Sequence, residues 1–299
     1  MKNYHNPVLL NESIKGLNIN PLGIYVDVTF GGGGHSRAIL NKLSSKGKLI
    51  AFDQDAYAST NLIDDSRFKL ISTNFSNLKK QLDLHEIDQI SGLIADFGIS
   101  SHQLDKKERG FSIRLDGPLD MRMNKKNKLN AKEVVNSYNE TKLVSIFKNY
   151  GELNRARVYT KKIAQSRRRE KITSTKDLQN LLKPLIPKQK FNKEMAKIFQ
   201  AIRIEVNKEL DAIKTLLLQT SNFISKGGRL VCISYHSLED RLVKNFIRDG
   251  NFDGNPKVDF YGNKFFPFKK IGDLITPSKR ELINNKRSRS AKLRIAEKI

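Results

Sequence analysis

Four consecutive glycines, Gly31 to Gly34, lie between a short apolar run and a segment compatible with a helix, and a second apolar run then leads to Asp53. Glycine lets the backbone approach a bound molecule closely, because it carries no side chain. An acid about 20 residues beyond such a turn is placed to accept hydrogen bonds from ribose hydroxyls. The spacing predicts a nucleoside site in which Asp53, rather than Asp55, binds the ribose.

The glycine run does not fit the dinucleotide fingerprint G-x-G-x-x-G. Counting from Gly31 places Ser36 where the last glycine is required. NAD and FAD are therefore disfavoured. S-adenosylmethionine has no pyrophosphate to seat on a helix N-terminus and accepts a looser loop, so we expect it to be the cofactor. The alternative interpretation is a flexible turn without a ligand, which the entropy of four glycines disfavours.

Two further residues could act on the group that receives a methyl. Asp96 ends an apolar run at the sheet edge where ligands bind in open α/β sheets, and its carboxylate could accept a hydrogen bond from an exocyclic amine. His236 follows a later apolar run and is a second catalytic candidate. The alternatives are that Asp96 caps the next turn and that His236 only precedes a helix capped by Ser237 and Asp240.

The elements that would position these residues are strands separated by helices, which predict an α/β fold with a Rossmann-like, mostly parallel sheet. The predicted strands are Ile24–Phe30, Lys48–Asp53, Phe68–Ser72, Ile90–Asp96 and Gly228–Tyr235.

Residues 112–202 contain no convincing strand, and helical patterns cover 132–150, 155–169 and 175–182. We therefore expect a sheet domain of residues 1–111 and 203–299, interrupted by an all-helical insert of residues 112–202. Two later features are a β-hairpin with its turn at Gly262-Asn263 and a short helix opened by Ser278 and Glu281 in the tail of residues 276–299.

The net charge of +24 is unevenly distributed. Residues 1–111 carry 13 basic and 12 acidic side chains, whereas residues 112–202 carry 22 and 8, and residues 276–299 carry 8 and 2. Excess cations in the insert and tail indicate a polyanionic partner, and nucleic acid is favoured over a membrane surface or plain solubility. The candidate RNA contacts are Arg167, Arg168, Arg169, Arg287, Arg289 and Lys292.

Composition narrows the remaining classes. A single cysteine, Cys232, excludes an internal disulfide and a cysteine-based metal site, and we expect a reducing, cytoplasmic environment. We expect no leader peptide, because the first residues contain no apolar h-region, and no membrane span, because no apolar run reaches about 18 residues. We also expect no metal, because methyl transfer from a sulfonium does not need one. A serine hydrolase is disfavoured, since there is no G-x-S-x-G.

Ordered motifs along nearly the whole chain resemble a known family, the bacterial small-subunit ribosomal RNA cytosine-N4 methyltransferases of the RsmH (MraW) family. The matching segments are residues 5–10 (HNPVLL), 28–36 (VTFGGGGHS), 96–101 (DFGISS), 109–112 (RGFS), 116–123 (DGPLDMRM), 199–207 (FQAIRIEVN), 235–241 (YHSLEDR) and 289–294 (RSAKLR).

The resemblance implies a class I methyltransferase fold with a helical insert after the fourth strand, and methyl transfer from S-adenosylmethionine to N4 of a cytidine in the decoding region of 16S rRNA. It also suggests a homodimer. By motif position, the implied cofactor contacts are Gly33, Gly34, His35, Asp53, Phe75, Asp96 and Gln103.

Two other functions stay open at this stage: a DNA or other RNA amino-methyltransferase, and a ribosome-assembly factor without catalysis. Amino-methyltransferases commonly have an Asp or Asn followed by two prolines and an aromatic residue. That signature is absent, and Asp96-Phe97-Gly98 occupies its place.

Overall fold

The computed structural model describes residues 7–258, residue 260 and residues 264–299, and it divides the chain into two compact units. The sheet unit comprises residues 7–98 and 210–299, and the helical unit comprises Ile99–Glu209. The helical unit is longer than the insert expected from the sequence, because Phe111 and Val206 belong to its apolar core.

In the described part of the chain, helices and strands alternate towards both ends, and the middle part forms helices. The helices are α1 (Leu10–Leu17), α2 (Gly34–Leu40), α3 (Leu78–Leu84), α4 (Ser101–Asp105), α5 (Ala131–Ser137), α6 (Glu140–Asn149), α7 (Ala156–Ser166), α8 (Thr175–Leu182), α9 (Phe191–Asn207), α10 (Glu209–Phe223), α11 (Ser237–Asp249) and α12 (Lys279–Asn284). The strands are β1 (Ile24–Asp27), β2 (Lys48–Phe52), β3 (Phe68–Ile71), β4 (Ile90–Asp96), β5 (Ile224–Ser234), β6 (Lys257–Val258), β7 (Lys264–Phe265), β8 (Phe268–Ile275) and β9 (Lys292–Lys298).

The sheet unit is built on seven strands in the order β3-β2-β1-β4-β5-β9-β8. The first five strands run parallel to one another, and β9 pairs antiparallel with both β5 and β8. This mostly parallel, Rossmann-like sheet confirms the predicted α/β fold class. The strand order reverses between β1 and β4, and ligands bind beyond the carboxyl ends of strands at such a switch point.

Both faces of this sheet are buried, as expected for parallel strands joined by helical crossovers. On one face, Val26 and Leu93 pack with residues of α3, α10 and α11 such as Leu82. On the other face, Leu49 and Ile94 pack with α1 and α2. This double cover fixes the strand ends that carry the candidate site.

The helical unit packs α5 to α9 around one apolar core, which includes Val134, Phe147, Ile163 and Ile198. The predicted helix over residues 132–150 is in fact two helices, since Asn139 caps α6 through a side-chain bond to Lys142 N. Among the described residues of this unit, the only β pairing is an isolated bridge between Pro118 and Ser174.

The largest departure from expectation is in the tail. Residues 292–298 form β9 in the interior of the sheet, whereas the sequence indicated only a short helix and a basic segment. The short helix is present as α12, with Ser278 accepting from Glu281 N. The expected hairpin is present in the pairing of β6 with β7, but its turn at Gly262-Asn263 lies outside the described residues.

Among the described residues, none of the helices combines the length and the apolar character that crossing a bilayer requires.

Candidate functional site

The glycine loop after β1 adopts backbone angles that favour glycine. Gly31 has φ +50° and Gly33 has φ +74°, both in the left-handed region. A Cβ at Gly34 would lie only 2.1 Å from Pro7 Cγ, so a side chain there would clash. A Cβ at Gly31 would meet only Thr29 O, at 3.9 Å, so the backbone there borders open space that a ligand can enter.

Asp53 lies just beyond β2 and supports this loop. One carboxylate oxygen accepts from Gly31 N at 2.8 Å, and the other accepts from Asp55 N at 2.8 Å. Burial raises the pKa of Asp53 to about 6, although these two backbone donors oppose the shift. The predicted ribose-binding acid therefore lies beside the glycines, at the carboxyl edge of the sheet.

Asp27 is a third acid beside the loop, and it is not among the residues predicted from the sequence. Its side chain is buried at the end of β1 and accepts from Ser36 Oγ at 2.6 Å and from Thr29 N at 3.0 Å. These bonds join the beginning of the loop to the first turn of α2. The available signal was an acid within an otherwise apolar strand, which is a costly position unless its oxygens are satisfied.

Asp96 ends β4 and faces two groups from other elements. Its Oδ1 accepts from the Tyr235 hydroxyl at 2.8 Å, and its Oδ2 lies 4.0 Å from His35 Nδ1. Burial raises the pKa of Asp96 to about 6, while His35 and the Tyr235 hydroxyl act in the opposite direction. His35 is itself buried, with its Nε2 3.2 Å from Val8 O.

Phe75 follows β3, as predicted, and is half-buried. Its ring packs against Phe97 with the centroids 5.9 Å apart, and Asn74 caps the turn that carries it through Ser76 N. The aromatic side chain is thus held in the same unit as the glycine loop.

His236 has a local structural role. It is the N-cap of α11, with Nδ1 accepting from Glu239 N at 3.4 Å and Nε2 lying 3.1 Å from Glu239 Oε1. The expectation that Ser237 and Asp240 form the cap is wrong by one residue. Asp240 instead pairs with Arg294 at 2.7 Å.

Gln103 lies in the helical unit, where its side chain is buried and completes the capping box of α4. Its Oε1 accepts from Ser100 N at 3.1 Å, and Ser100 Oγ accepts from Gln103 N. This contact orders the segment that follows Asp96 and Gly98 in the chain.

The predicted RNA contacts differ in exposure. Arg168 and Arg169 are exposed, whereas Arg167 is half-buried and donates to Val135 O at 2.7 Å, near the end of α5. In the tail, Arg287 and Arg289 are exposed. Lys292 begins β9, and its ammonium lies 3.3 Å from Asp240.

The sheet edge therefore combines an open glycine turn with the carboxyl groups of Asp27, Asp53 and Asp96. Carboxylates suit ribose hydroxyls and a cationic ligand, and they oppose a pyrophosphate. The described residues contain no group of three or more His, Cys, Asp or Glu side chains arranged to hold a metal ion. These features fit S-adenosylmethionine, which carries a ribose and a positively charged sulfonium.

Comparison with known proteins gives matches along the whole chain. The model of the MraW methylase family matches residues 2–299. The ribosomal RNA small subunit methyltransferase H of Christiangramia forsetii is 54% identical over 296 residues, covering 99% of this chain and 98% of its own. The protein of the same name from Bacteroides thetaiotaomicron is 49% identical, covering 99% and 97%.

A solved structure of a putative rRNA methylase from Clostridium thermocellum superimposes with a TM-score of 0.46 and 13% identity, covering 99% of this chain and 100% of its own. The family model and the two relatives span almost every residue of this chain. This chain belongs to the MraW methylase family.

Proposed function

We propose that this protein methylates the exocyclic N4 amine of a cytidine in the decoding region of 16S rRNA. Relatives of about half identity are named ribosomal RNA small subunit methyltransferase H, which supports the substrate class. The position of Asp96 supports an amine as the group that receives the methyl. Its carboxylate ends β4, next to the switch point of the sheet, and its Oδ1 already accepts a hydrogen bond from Tyr235. A ribosomal substrate implies the cytoplasm as the compartment.

The sheet unit would bind the cofactor and orient the amine. The backbone of Gly33, Gly34 and His35 would line the methionine portion, Asp53 would accept from the ribose hydroxyls, and Phe75 would flank the adenine. S-adenosylmethionine supplies a methyl group already activated on its sulfonium. Positioning of the amine therefore accounts for most of the rate.

Asp96 would act on the cytidine. The lone pair of an exocyclic amine is delocalised into the ring, and a carboxylate that accepts one N–H makes this pair more available. The target base must leave the RNA stack to reach the sheet edge, as in other enzymes that modify a base. His236 remains the second catalytic candidate and Gln103 a cofactor contact, in addition to the caps that they form.

The helical unit and the tail would bind the phosphate backbone. The helical unit has 27 basic and 12 acidic side chains, a net charge of +15. Arg168, Arg169, Arg287 and Arg289 are exposed and suited to phosphate contacts, which set register without reading sequence. Arg167 and Lys292 are also predicted RNA contacts, but their side chains make the internal contacts described above.

Methyl transfer to small ribosomal subunits from a strain that lacks the enzyme tests this function. We expect radiolabel from S-adenosylmethionine in 16S rRNA, recovered as N4-methylcytidine after digestion to nucleosides, and loss of the label with Asp96→Asn. Cofactor binding by calorimetry is the control. Intact cofactor binding without label in the RNA would contradict catalysis and favour an assembly factor.

Parallel assays with duplex DNA, free 16S rRNA and assembled subunits separate the other alternative. We expect label only in the ribosomal substrates. Preferential labelling of DNA would indicate a DNA amino-methyltransferase.

A further inference from the structure

Tyr235 contacts the proposed catalytic carboxylate directly. It follows β5, the strand beside β4, and its hydroxyl donates to Asp96 Oδ1 at 2.8 Å. Burial, together with the Asp96 charge, raises the pKa of Tyr235 well above its ordinary value. The phenol therefore keeps its proton and remains a donor at neutral pH, where Asp96 is ionised.

Tyr235 is held at its ring and at its backbone. A Cβ at Gly98 would lie 3.3 Å from the Tyr235 ring, and Gly98 has φ +106°, so this position favours glycine for two reasons. The backbone N–H of Tyr235 donates to Oε2 of the fully buried Glu239 at 2.8 Å. The hydroxyl thus has a defined position relative to the end of β4.

The second oxygen of Asp96 is differently placed. Within the described residues, no hydrogen bond reaches Oδ2, and the nearest ionisable partner is His35 Nδ1 at 4.0 Å. His35 Nε2 lies 3.2 Å from Val8 O, which can only accept, so Nε2 carries a hydrogen, and the 4.0 Å between Nδ1 and Asp96 Oδ2 is too long for a hydrogen bond. Oδ2 is therefore the oxygen that remains for an incoming N–H.

We propose that Tyr235 is a positioning residue, which holds Asp96 Oδ1 so that Oδ2 is presented to the amine that receives the methyl. The inference rests on the proposed role of Asp96. A carboxylate bonded through one oxygen has its rotation fixed, and orientation of the reacting groups is a major source of rate. The effect belongs to the transition state more than to cofactor binding.

The bond also affects the charge on Asp96. The ionisable groups that face this carboxyl are Tyr235 after β5, His35 on α2, Asp27 on β1 and Glu239 on α11. Burial and the two acids raise the pKa of Asp96, whereas His35 and the Tyr235 hydroxyl lower it. Loss of the hydroxyl should raise this pKa further, and activity that needs the carboxylate should then fail at a higher pH.

Tyr235→Phe removes the hydroxyl and keeps the ring. We expect kcat for small-subunit methylation to fall by about 10- to 100-fold, the range for a hydrogen bond to a charged group. The KM values for cofactor and RNA should stay nearly unchanged, and the acid limb of the pH profile should move to higher pH. The matched control is Tyr159→Phe, which removes a buried hydroxyl bonded to Glu194 at 3.0 Å in the helical unit.

Three results distinguish failure of this inference from failure of the proposed function. If Asp96→Asn is inactive but Tyr235→Phe matches Tyr159→Phe in kcat and pH profile, only the positioning role is overturned. If Asp96→Asn is fully active, the proposed function of Asp96 fails and the inference fails with it. In the Asp96→Asn background, Tyr235→Phe should cause no further loss of residual kcat, and a fully additive loss would show that Tyr235 acts elsewhere.

Discussion

The sheet unit and the helical unit place their charged groups in opposite ways. In the sheet unit, Asp27, Asp53 and Asp96 lie at or beyond the ends of three adjacent strands, and burial raises the pKa of the latter two to about 6. In the helical unit, Arg168 and Arg169 are exposed, and the basic side chains of the whole unit outnumber its acidic side chains by 15. Residues 1–98 and 210–299 together carry a net charge of +9.

This difference separates two kinds of ligand. Partly desolvated carboxylates attract a sulfonium and repel a pyrophosphate, since charge interactions strengthen away from bulk water. Exposed arginines attract the phosphates of a nucleic acid at long range and in a salt-dependent way. The failed glycine fingerprint and the acidic sheet edge thus agree on a cofactor without phosphate, and the basic excess lies mainly in another part of the chain.

The sharpest test of this separation is Asp53→Ala. Two backbone hydrogen bonds and the proposed ribose contacts are lost together, so we expect affinity for S-adenosylmethionine to fall by about 100-fold or more. Binding to 16S rRNA should keep its affinity and salt dependence. Calorimetry with the cofactor and filter binding with RNA measure the two effects, and unchanged cofactor affinity would refute the assignment.

We expect cofactor affinity, which depends on the sheet unit, and RNA affinity, which depends on the helical unit, to respond differently to pH. Below pH 6, protonation of Asp53 and Asp96 removes negative charge from the site, so affinity for S-adenosylmethionine should fall by up to about tenfold per pH unit for each carboxylate that binding requires. RNA affinity of the arginines should change little between pH 5 and pH 7. Calorimetry over this range checks the prediction, and a flat cofactor profile would contradict it.

The same two carboxyl groups affect the stability of the fold in the opposite direction: lower pH weakens cofactor binding but stabilises the folded protein. Their pKa values of about 6 lie above the ordinary value of 3.8, so between these limits the folded protein binds more protons than the unfolded chain. Their contribution to the free energy of unfolding should therefore decrease as the pH rises through this window. Urea denaturation of wild type and Asp53→Asn at several pH values isolates this contribution. We expect the free energy of unfolding to change less steeply with pH in the variant.

Replacing both Arg168 and Arg169 with alanine should weaken RNA binding by about tenfold and lower the salt slope by up to about two. Cofactor affinity should be unchanged. Lys42 and Lys46, exposed in the sheet unit, offer a control with the same change of charge. An unaltered salt slope in the arginine variant would show that this surface does not bind RNA.

Arg167→Ala should act on stability instead. Its bond to Val135 O satisfies a carbonyl near the end of α5, and we expect a loss of about 1–2 kcal/mol, or a few degrees in Tm. The salt slope of RNA binding should stay as in wild type. Arg168→Ala is the matched control, and equal Tm values for the two variants would contradict a structural role of Arg167.

Local patterns were sufficient for most elements but not for the contacts between them. β4 and α8 have the bounds predicted from their apolar spacing, and β2 ends one residue earlier at Phe52. β9 was not predicted because Lys292 and Arg294 resemble an exposed basic tail. Both side chains pair with Asp240, more than 50 residues away, and no local pattern reveals this partner.

The candidate site shows the same limit. Asp53 and Asp96 could be identified because each ends an apolar run, and the structure brings both to one edge of the sheet. The partner of Asp96 could not be identified, since Tyr235 is separated from it by 139 residues. The motif drew attention to His236, the neighbouring residue, although the imidazole lies in the cap of α11.

The discontinuity of the sheet unit has a consequence for synthesis on the ribosome. The helical unit is one continuous segment, so its core is complete once Glu209 has emerged. The sheet still lacks β5 and β9 at that point, and β4 has an open edge until β5 pairs with it. Because domains fold as units during translation, the helical unit can fold first and would hold the two halves of the sheet unit as a folded linker. The edge of β4 would stay exposed to misassembly until β5 has been made and pairs with it.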